Sequence, residues 1–283
     1  MLSVIMCVHN GELTLQSSLD DLVSAEPDAE IIVVDDGSTD NTPKILNQYS
    51  NIKRVNLPTN MGLLRARMEG YKVSTGDWIA FLDSDDHISL GYYSTLANHA
   101  VDEDMVLGNV MFLNRPSETG FDRLRPDAPF DSFIRTEGRY LCTTWVWDKV
   151  YRRDLFQKVY GVFKEWDVHT YGEDLMISVI AWYHCRKMSV CPDGYVYYSG
   201  MHPSEDSVEY VRDMSGVFRF LDGWFKDKNL RWGQNVHLRN FICTHISAIC
   251  LMLRKRNRWD LITDLRNEWH IQPSELDMPR LIC

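Results

Sequence analysis

The feature that most constrains this chain is a repeated alternation, over its first 112 residues, of short β-branched apolar runs with segments of helical periodicity. Ser3 to Val8 is strand-like, and Leu15, Leu19, Leu22 and Val23 then recur at helical spacing. Ile31 to Val34 reads as a second buried strand. Asp40, Asn41, Thr42 and Pro43 start a helix that carries Ile45, Leu46 and Tyr49. Ile52 to Leu57 predicts a third strand, Gly62 to Val73 a helix and Trp78 to Leu82 a fourth strand. Tyr92, Tyr93, Leu96, Ala97 and Ala100 mark another helix, and Met105 to Phe112 is strand-like again. Such crossovers are right-handed and build a mostly parallel α/β sheet flanked by helices.

The rest is less regular. Residues 113–140, with Pro116, Pro126 and Pro129, read as a long loop or flap, and a helix follows Gly172. Beyond about Asp206 only helices are predicted. There Ile242, Ile246, Ile249 and Leu253 make an apolar stripe that runs into Arg254, Lys255, Arg256 and Arg258. Apolar area beside cationic charge suits a helix lying on an anionic membrane surface. The same stripe also suits packing against the α/β domain.

Bulk properties exclude several classes. A net charge of −10 argues against non-specific nucleic-acid binding, so no nucleic-acid partner is expected. An acidic chain handles an anionic ligand by recruiting a cation or by concentrating its arginines. Seven scattered cysteines without a C-x-x-C pair argue against zinc and for free thiols in a reducing compartment. The opening MLSVIMCVHN lacks the features of a signal peptide, and no apolar run approaches the ~20 residues of a membrane span. The expected location is cytoplasmic, with peripheral membrane association if the stripe faces lipid.

Four acidic or basic motifs carry the chemistry. In FLDSDD, residues 81–86, an apolar strand ends in three carboxylates, whose repulsion pushes at least one pKa upward. Ligands of open α/β sheets sit at the carboxyl ends of strands, and oxygen donors there suit Mg²⁺ or Mn²⁺. The plainer alternative is a solvated turn in which Asp86 caps the next helix. In VVDDGSTDNT, residues 33–42, Asp36 follows the second strand and offers an acceptor for the imide N–H of a uracil; turn chemistry accounts equally for Ser38, Thr39 and Asp40. Gly172-Glu173-Asp174 opens a helix, where acids favour the macrodipole and where an ionised carboxylate can serve as a general base. In NMGLLRAR, residues 60–67, the helix start at Gly62 together with Arg65 and Arg67 suits a diphosphate. Trp145 and Trp147, at strand alternation, suit a sugar platform or a core, and His202 suits a metal ligand or an exposed loop.

The ordered set SVIMCVHN, VVDDGSTDNT, NMGLLRARMEG, GDWIAFLDSDD, WDKVYRRDLF and GEDL resembles family 2 of the glycosyltransferases, with the GT-A fold, over roughly residues 1–205. The resemblance implies a catalytic domain over 1–205, with a nucleotide-sugar half at 1–112 and an acceptor half at 113–205, followed by a helical segment at 206–283. It implies inverting transfer from a nucleoside-diphosphate sugar, most simply a UDP-sugar, to a glycan or lipid-linked acceptor in bacterial surface polysaccharide synthesis. It places the donor against Val8, His9, Asn10, Glu12, Asp36, Gly62, Arg67, Asp83 and Ser84. It places Mn²⁺ or Mg²⁺ at Asp85 and Asp83 with His202, and the base at Asp174 with Glu173. Trp145 and Trp147 then fall on the acceptor side. Two positions depart from the family pattern: Met68 stands where Asn is common, and Gly200 where an Arg is. Rival readings are a receiver domain, a haloacid-dehalogenase-like phosphatase and a non-catalytic module on a GT-A scaffold. The first two place their acid motifs after the first strand, unlike this chain.

Overall fold

The computed structural model of the chain describes residues 1–109, 144–165, 172–195, 208–230, 246, 249–250, 253–254 and 257–269. The expected alternation is present. Strand β1 (Leu2–Val8) is followed by α1 (Leu15–Ala25), β2 (Glu30–Asp35), α2 (Thr42–Leu46), β3 (Lys53–Asn56), α3 (Leu63–Val73), β4 (Trp78–Asp83), α4 (Tyr92–His99) and β5 (Met105–Asn109). Three elements went unread in the sequence: β6 (Lys149–Arg152), the helix that continues directly from it, α5 (Arg153–Phe163), and β7 (Met188–Tyr195). Helix α6 (Glu173–His184) follows Gly172 as expected, and α7 (Val208–Asp227) and α8 (Trp259–Trp269) lie near the C-terminal end.

The strands form one sheet of order β3-β2-β1-β4-β6-β5-β7. It is mostly parallel; β6 alone runs antiparallel to both its neighbours, β4 and β5. The register aligns Val8 with Asp35 and Cys7 with Asp83, so β1, β2 and β4 end together and their following loops share one edge.

Both faces of the sheet are covered, which is why its strands read as continuous apolar runs. On one face Ile5, Ile32, Val34, Ile79 and Phe81 pack under α3, α5 and α6. On the other, Val4, Met6, Val33, Ala80 and Leu82 meet Leu15, Leu19, Leu22, Tyr93 and Leu96. The C-terminal helices belong to the first of these cores. Val217, Phe218 and Leu221 of α7 and Leu265 and Trp269 of α8 are buried in it, so the boundary at 205/206 does not divide the packing. Ile246, Ile249 and Leu253 are buried there too, at 0%, 5% and 0% exposure, so the described part of the stripe faces the core and not a membrane. A helical apolar period reports that one face is covered, not by what. Ile242, Lys255 and Arg256 lie outside the described residues, as do 113–140 and His202. No helix among the described residues is long and apolar enough to cross a membrane. Cys7, Cys185 and Cys250 are buried free thiols, as expected.

Candidate active site

The loops after β1 and β2 are laced to each other. Asn10, at a left-handed φ of 53°, donates its N–H to Ser38 Oγ at 2.9 Å, and its Oδ1 accepts the Thr39 N–H at 2.8 Å. The Glu12 carboxylate accepts both the N–H and the side-chain amide of Asn41, at 3.1 and 2.9 Å. The Val8 carbonyl accepts the Asp36 N–H at 2.8 Å, and His9 Nδ1 lies 2.8 Å from the Asp36 carbonyl. Residues read from sequence as nucleoside contacts thus hold the two loops in place.

Asp36 organises a third loop. It is buried, and its two oxygens accept the N–H groups of Met61 and Gly62 at 2.7 and 2.8 Å. The Gly62 N–H, read as a diphosphate donor, is already engaged by this carboxylate. Gly37 permits the approach: its φ is +67°, and a Cβ there would fall 2.3 Å from the Thr59 backbone.

The centre of the site is Arg67. Its side chain is 2% exposed, and it reaches the ends of two distant elements. Nη2 meets Asp83 Oδ1 at the end of β4 at 2.9 Å; Nη1 meets Glu173 Oε1 at 2.9 Å and also donates to Asp174 Oδ1 at the start of α6. Its Cζ lies 5.9 Å from the centre of the Phe81 ring. Burial works against its charge, but Asp174, Asp83 and Glu173 together hold the guanidinium pKa well above its ordinary value. Arg67 therefore clamps carboxylates where the sequence suggested a diphosphate ligand, and Arg65 turns outward to Glu69 and the Lys164 carbonyl.

The acids around Arg67 outnumber the cations. Burial raises the Asp83 pKa; Arg67 opposes the rise, and Asp174 and Asp85 add to it. Burial, with Asp83, Asp85 and Asp174, pushes Asp86 up to about 9. Burial and Asp174 push Glu173 up to about 7 against the pull of Arg67. Asp86 is not a cap: α4 begins at Tyr92 behind Gly91, while Asp86 is buried at 2% exposure. Asp85 is half-buried and has no hydrogen bond or ion pair among the described residues. Ser84 is half-buried beside Gly11, its Oγ 3.8 Å from where a Cβ on that glycine would sit.

Two further charged groups lie beneath, unread in the sequence although WDKVYRRDLF contains them. Lys149 and Asp148 are buried and paired, and Lys149 Nζ also donates to the Trp145 carbonyl. Burial pushes Asp148 up to about 6 against Lys149. Trp145 and Trp147 are not on a strand; they lie in the irregular segment before β6, their rings stacked 4.8 Å apart. Trp147 is buried and Trp145 half-buried. The Ser178 hydroxyl, one turn beyond Asp174, donates to the Thr144 carbonyl at 2.7 Å, which sets this segment beside the start of α6.

A model of glycosyl transferase family 2 matches residues 3–160, more than half of the chain. The chain belongs to glycosyl transferase family 2. It is a sugar-transferring enzyme, and the phosphatase and receiver readings fall away. It is 26% identical over 270 residues to a putative glycosyltransferase, EpsH, of Bacillus subtilis, covering 91% of this chain and 77% of that one. It is 29% identical over 228 residues to a poly(ribitol-phosphate) beta-glucosyltransferase of Bacillus spizizenii, 74% of this chain but 34% of that one. The crystal structure of S. aureus TarS 1–349 in complex with UDP-GlcNAc superposes with a TM-score of 0.58 at 25% identity, over 76% of this chain and 65% of that one. The fold is GT-A, as the ordered motifs implied.

Proposed function

We propose that this glycosyltransferase transfers a sugar, with inversion, from a UDP-sugar to a hydroxyl of a glycan acceptor in bacterial polysaccharide synthesis. The observation that carries the reading is the convergence of Asp83, Glu173 and Asp174 on Arg67 at the carboxyl end of β4. UDP-GlcNAc is the first donor to test, because TarS, similar in fold, is described in complex with it.

The residues present fit a hard divalent cation, Mn²⁺ or Mg²⁺. Asp83 and Asp85 offer carboxylate oxygens, and burial, with the neighbouring acids adding to it, raises Asp83 and Asp86. No three metal-ligating side chains converge among the described residues. Asp85 and Asp83 would hold such an ion together with donor diphosphate oxygens, and the ion would neutralise charge on the leaving diphosphate. Asp174 is the base that takes the proton of the acceptor hydroxyl, with Glu173 beside it. Arg67 keeps the Asp174 carboxylate close to Asp83, so proton acceptance and departure of the nucleotide occur at one place. Asp36 shapes the nucleoside side by fixing the loop at Met61 and Gly62. Trp145, partly exposed beside α6, is the ring offered to the acceptor sugar.

The reading is tested by UDP release from UDP-GlcNAc, UDP-glucose and UDP-galactose, with Mn²⁺ and with EDTA. Metal-dependent release from at least one donor supports it. An enzyme that releases UDP from none of them, yet binds and turns over a different nucleotide sugar, contradicts the choice of UDP.

A further inference from the structure

The turn that carries Glu173 and Asp174 is gripped from two sides, and the second grip comes from beyond the residues that the family model matches. Gly172 caps α6 in a left-handed conformation, φ 81° and ψ 22°. A Cβ on Gly172 would fall 2.5 Å from Met214 Sδ, 3.3 Å from Met214 Cε and 3.5 Å from Val217 Cγ2. The thioether of Met214 therefore rests on backbone one residue before Glu173 and two before Asp174. The positive φ favours glycine here, and a side chain at this position would have to displace the Met214 sulfur above it.

Met214 is itself firmly seated. It is 6% exposed, with Val217 and Phe218 of the same helix at 1% and 0%. Helix α7 is fixed along its length. Trp224 meets Tyr183 of α6 edge-on at 4.8 Å, and Phe220 meets Phe163 of α5 at 5.5 Å. Ser215 and Arg219 both bind Glu268 of α8, and Phe218 meets Trp269 of α8 at 5.8 Å. Arg67 pulls Glu173 and Asp174 from the catalytic side by charge, which constrains distance only softly. Close packing from behind constrains position more sharply, because a packed contact tolerates little displacement. Unbranched methionine fits an irregular gap of this kind, pressed on a residue that has no side chain.

We infer that Met214 is a positioning residue for the Glu173–Asp174 turn, and that α7 is thereby a working part of the active site. This rests on the reading of Asp174 as the base. The experiment therefore has one readout that depends on catalysis and one that does not.

The full chain is compared with Met214→Ala, Met214→Leu and Leu221→Ala. Leu221 is buried on the same helix, two turns further from Gly172, at about 1.5 Å of rise per residue. Hydrogen–deuterium exchange follows the amides at the start of α6, and calorimetry with Mn²⁺ measures UDP affinity. UDP release from UDP-GlcNAc gives kcat and KM. Met214→Ala is expected to speed exchange at Leu175–Val179 and to lower kcat about tenfold or more, as a displaced catalytic group does, with UDP affinity little changed. Met214→Leu should restore both. Leu221→Ala should lower the melting temperature and leave kcat and that exchange near wild type. Wild-type exchange at the start of α6 in Met214→Ala overturns the inference, as does a Leu221→Ala variant that reproduces its effects. If the wild-type chain releases no UDP, the catalytic reading fails, and the exchange arm still decides whether Met214 holds the turn.

Discussion

Arg67 and Asp83 lie 2.9 Å apart, Nη2 to Oδ1, while the other terminal nitrogen of the same guanidinium reaches Glu173 and Asp174. One buried cation thus joins the end of β4 to the start of α6, 107 residues from Arg67 to Asp174. Removing it leaves carboxylates in a crowded, poorly solvated place. Arg67→Met is expected to lose about 3–5 kcal/mol of stability in urea denaturation, the usual effect of breaking a buried ion pair on one side. Arg67→Lys keeps the charge without the planar fork and should recover only part of it. A loss below about 1 kcal/mol for Arg67→Met, as for an exposed pair, would mean that the carboxylates are well solvated without it.

The pH dependence follows from the raised carboxyls. Asp86 stands at about 9 against an ordinary 3.8, and Glu173 at about 7 against 4.5. Between each pair of values the folded chain holds a proton that the unfolded chain has released. Stability without added cation should therefore fall as pH rises through these windows. Asp86→Asn removes the wider one. Its melting temperature should fall less steeply than wild type between about pH 5 and 9. Parallel profiles would show that Asp86 titrates normally.

Asp174→Asn should reduce kcat by about 10²–10⁴-fold, the usual worth of a positioned base, and leave UDP affinity within a few-fold of wild type. Glu173→Gln should cost less. Steady-state kinetics with calorimetry on the same preparations separates the two effects. Full kcat in Asp174→Asn would move the base elsewhere.

Asp36→Ala frees the N–H groups of Met61 and Gly62 from a buried carboxylate. We expect about 1–3 kcal/mol of lost stability, the usual range for unpaired buried groups. UDP binding should weaken as well, through the loosened loop. Weaker UDP binding at unchanged stability would instead favour direct contact between Asp36 and the base.

The elements from β1 to β5 were legible in the sequence because both faces of the sheet are buried and the helices between them are amphipathic. Strand β6 was not: KVYR is four residues long with a charge at each end, and its burial of Lys149 depends on the neighbouring Asp148. Strand β7 contains Pro192 and Gly194, which read as turn residues. The acids of the site were visible as strand-end and helix-start motifs. Their common partner Arg67 stood out in the sequence as suited to a diphosphate and not as a partner of these acids, since a contact spanning 107 residues leaves no local trace. A carboxylate after a strand looks the same in sequence whether it meets a uracil or a loop, so the bonds of Asp36 to Met61 and Gly62 are not legible there. The Ile246–Leu253 stripe was ambiguous for a similar reason: amphipathicity shows that a face is covered and not what covers it.

The central claim is that the acids at Asp83 and Asp85 bind the donor nucleotide together with a divalent cation. Calorimetric titration of the full chain with UDP, in Mn²⁺ and in EDTA, tests it most directly. We expect affinity at least about tenfold higher with Mn²⁺, a difference of about 1.4 kcal/mol, and loss of that difference in Asp85→Asn. Equal affinity in Mn²⁺ and EDTA would contradict the claim.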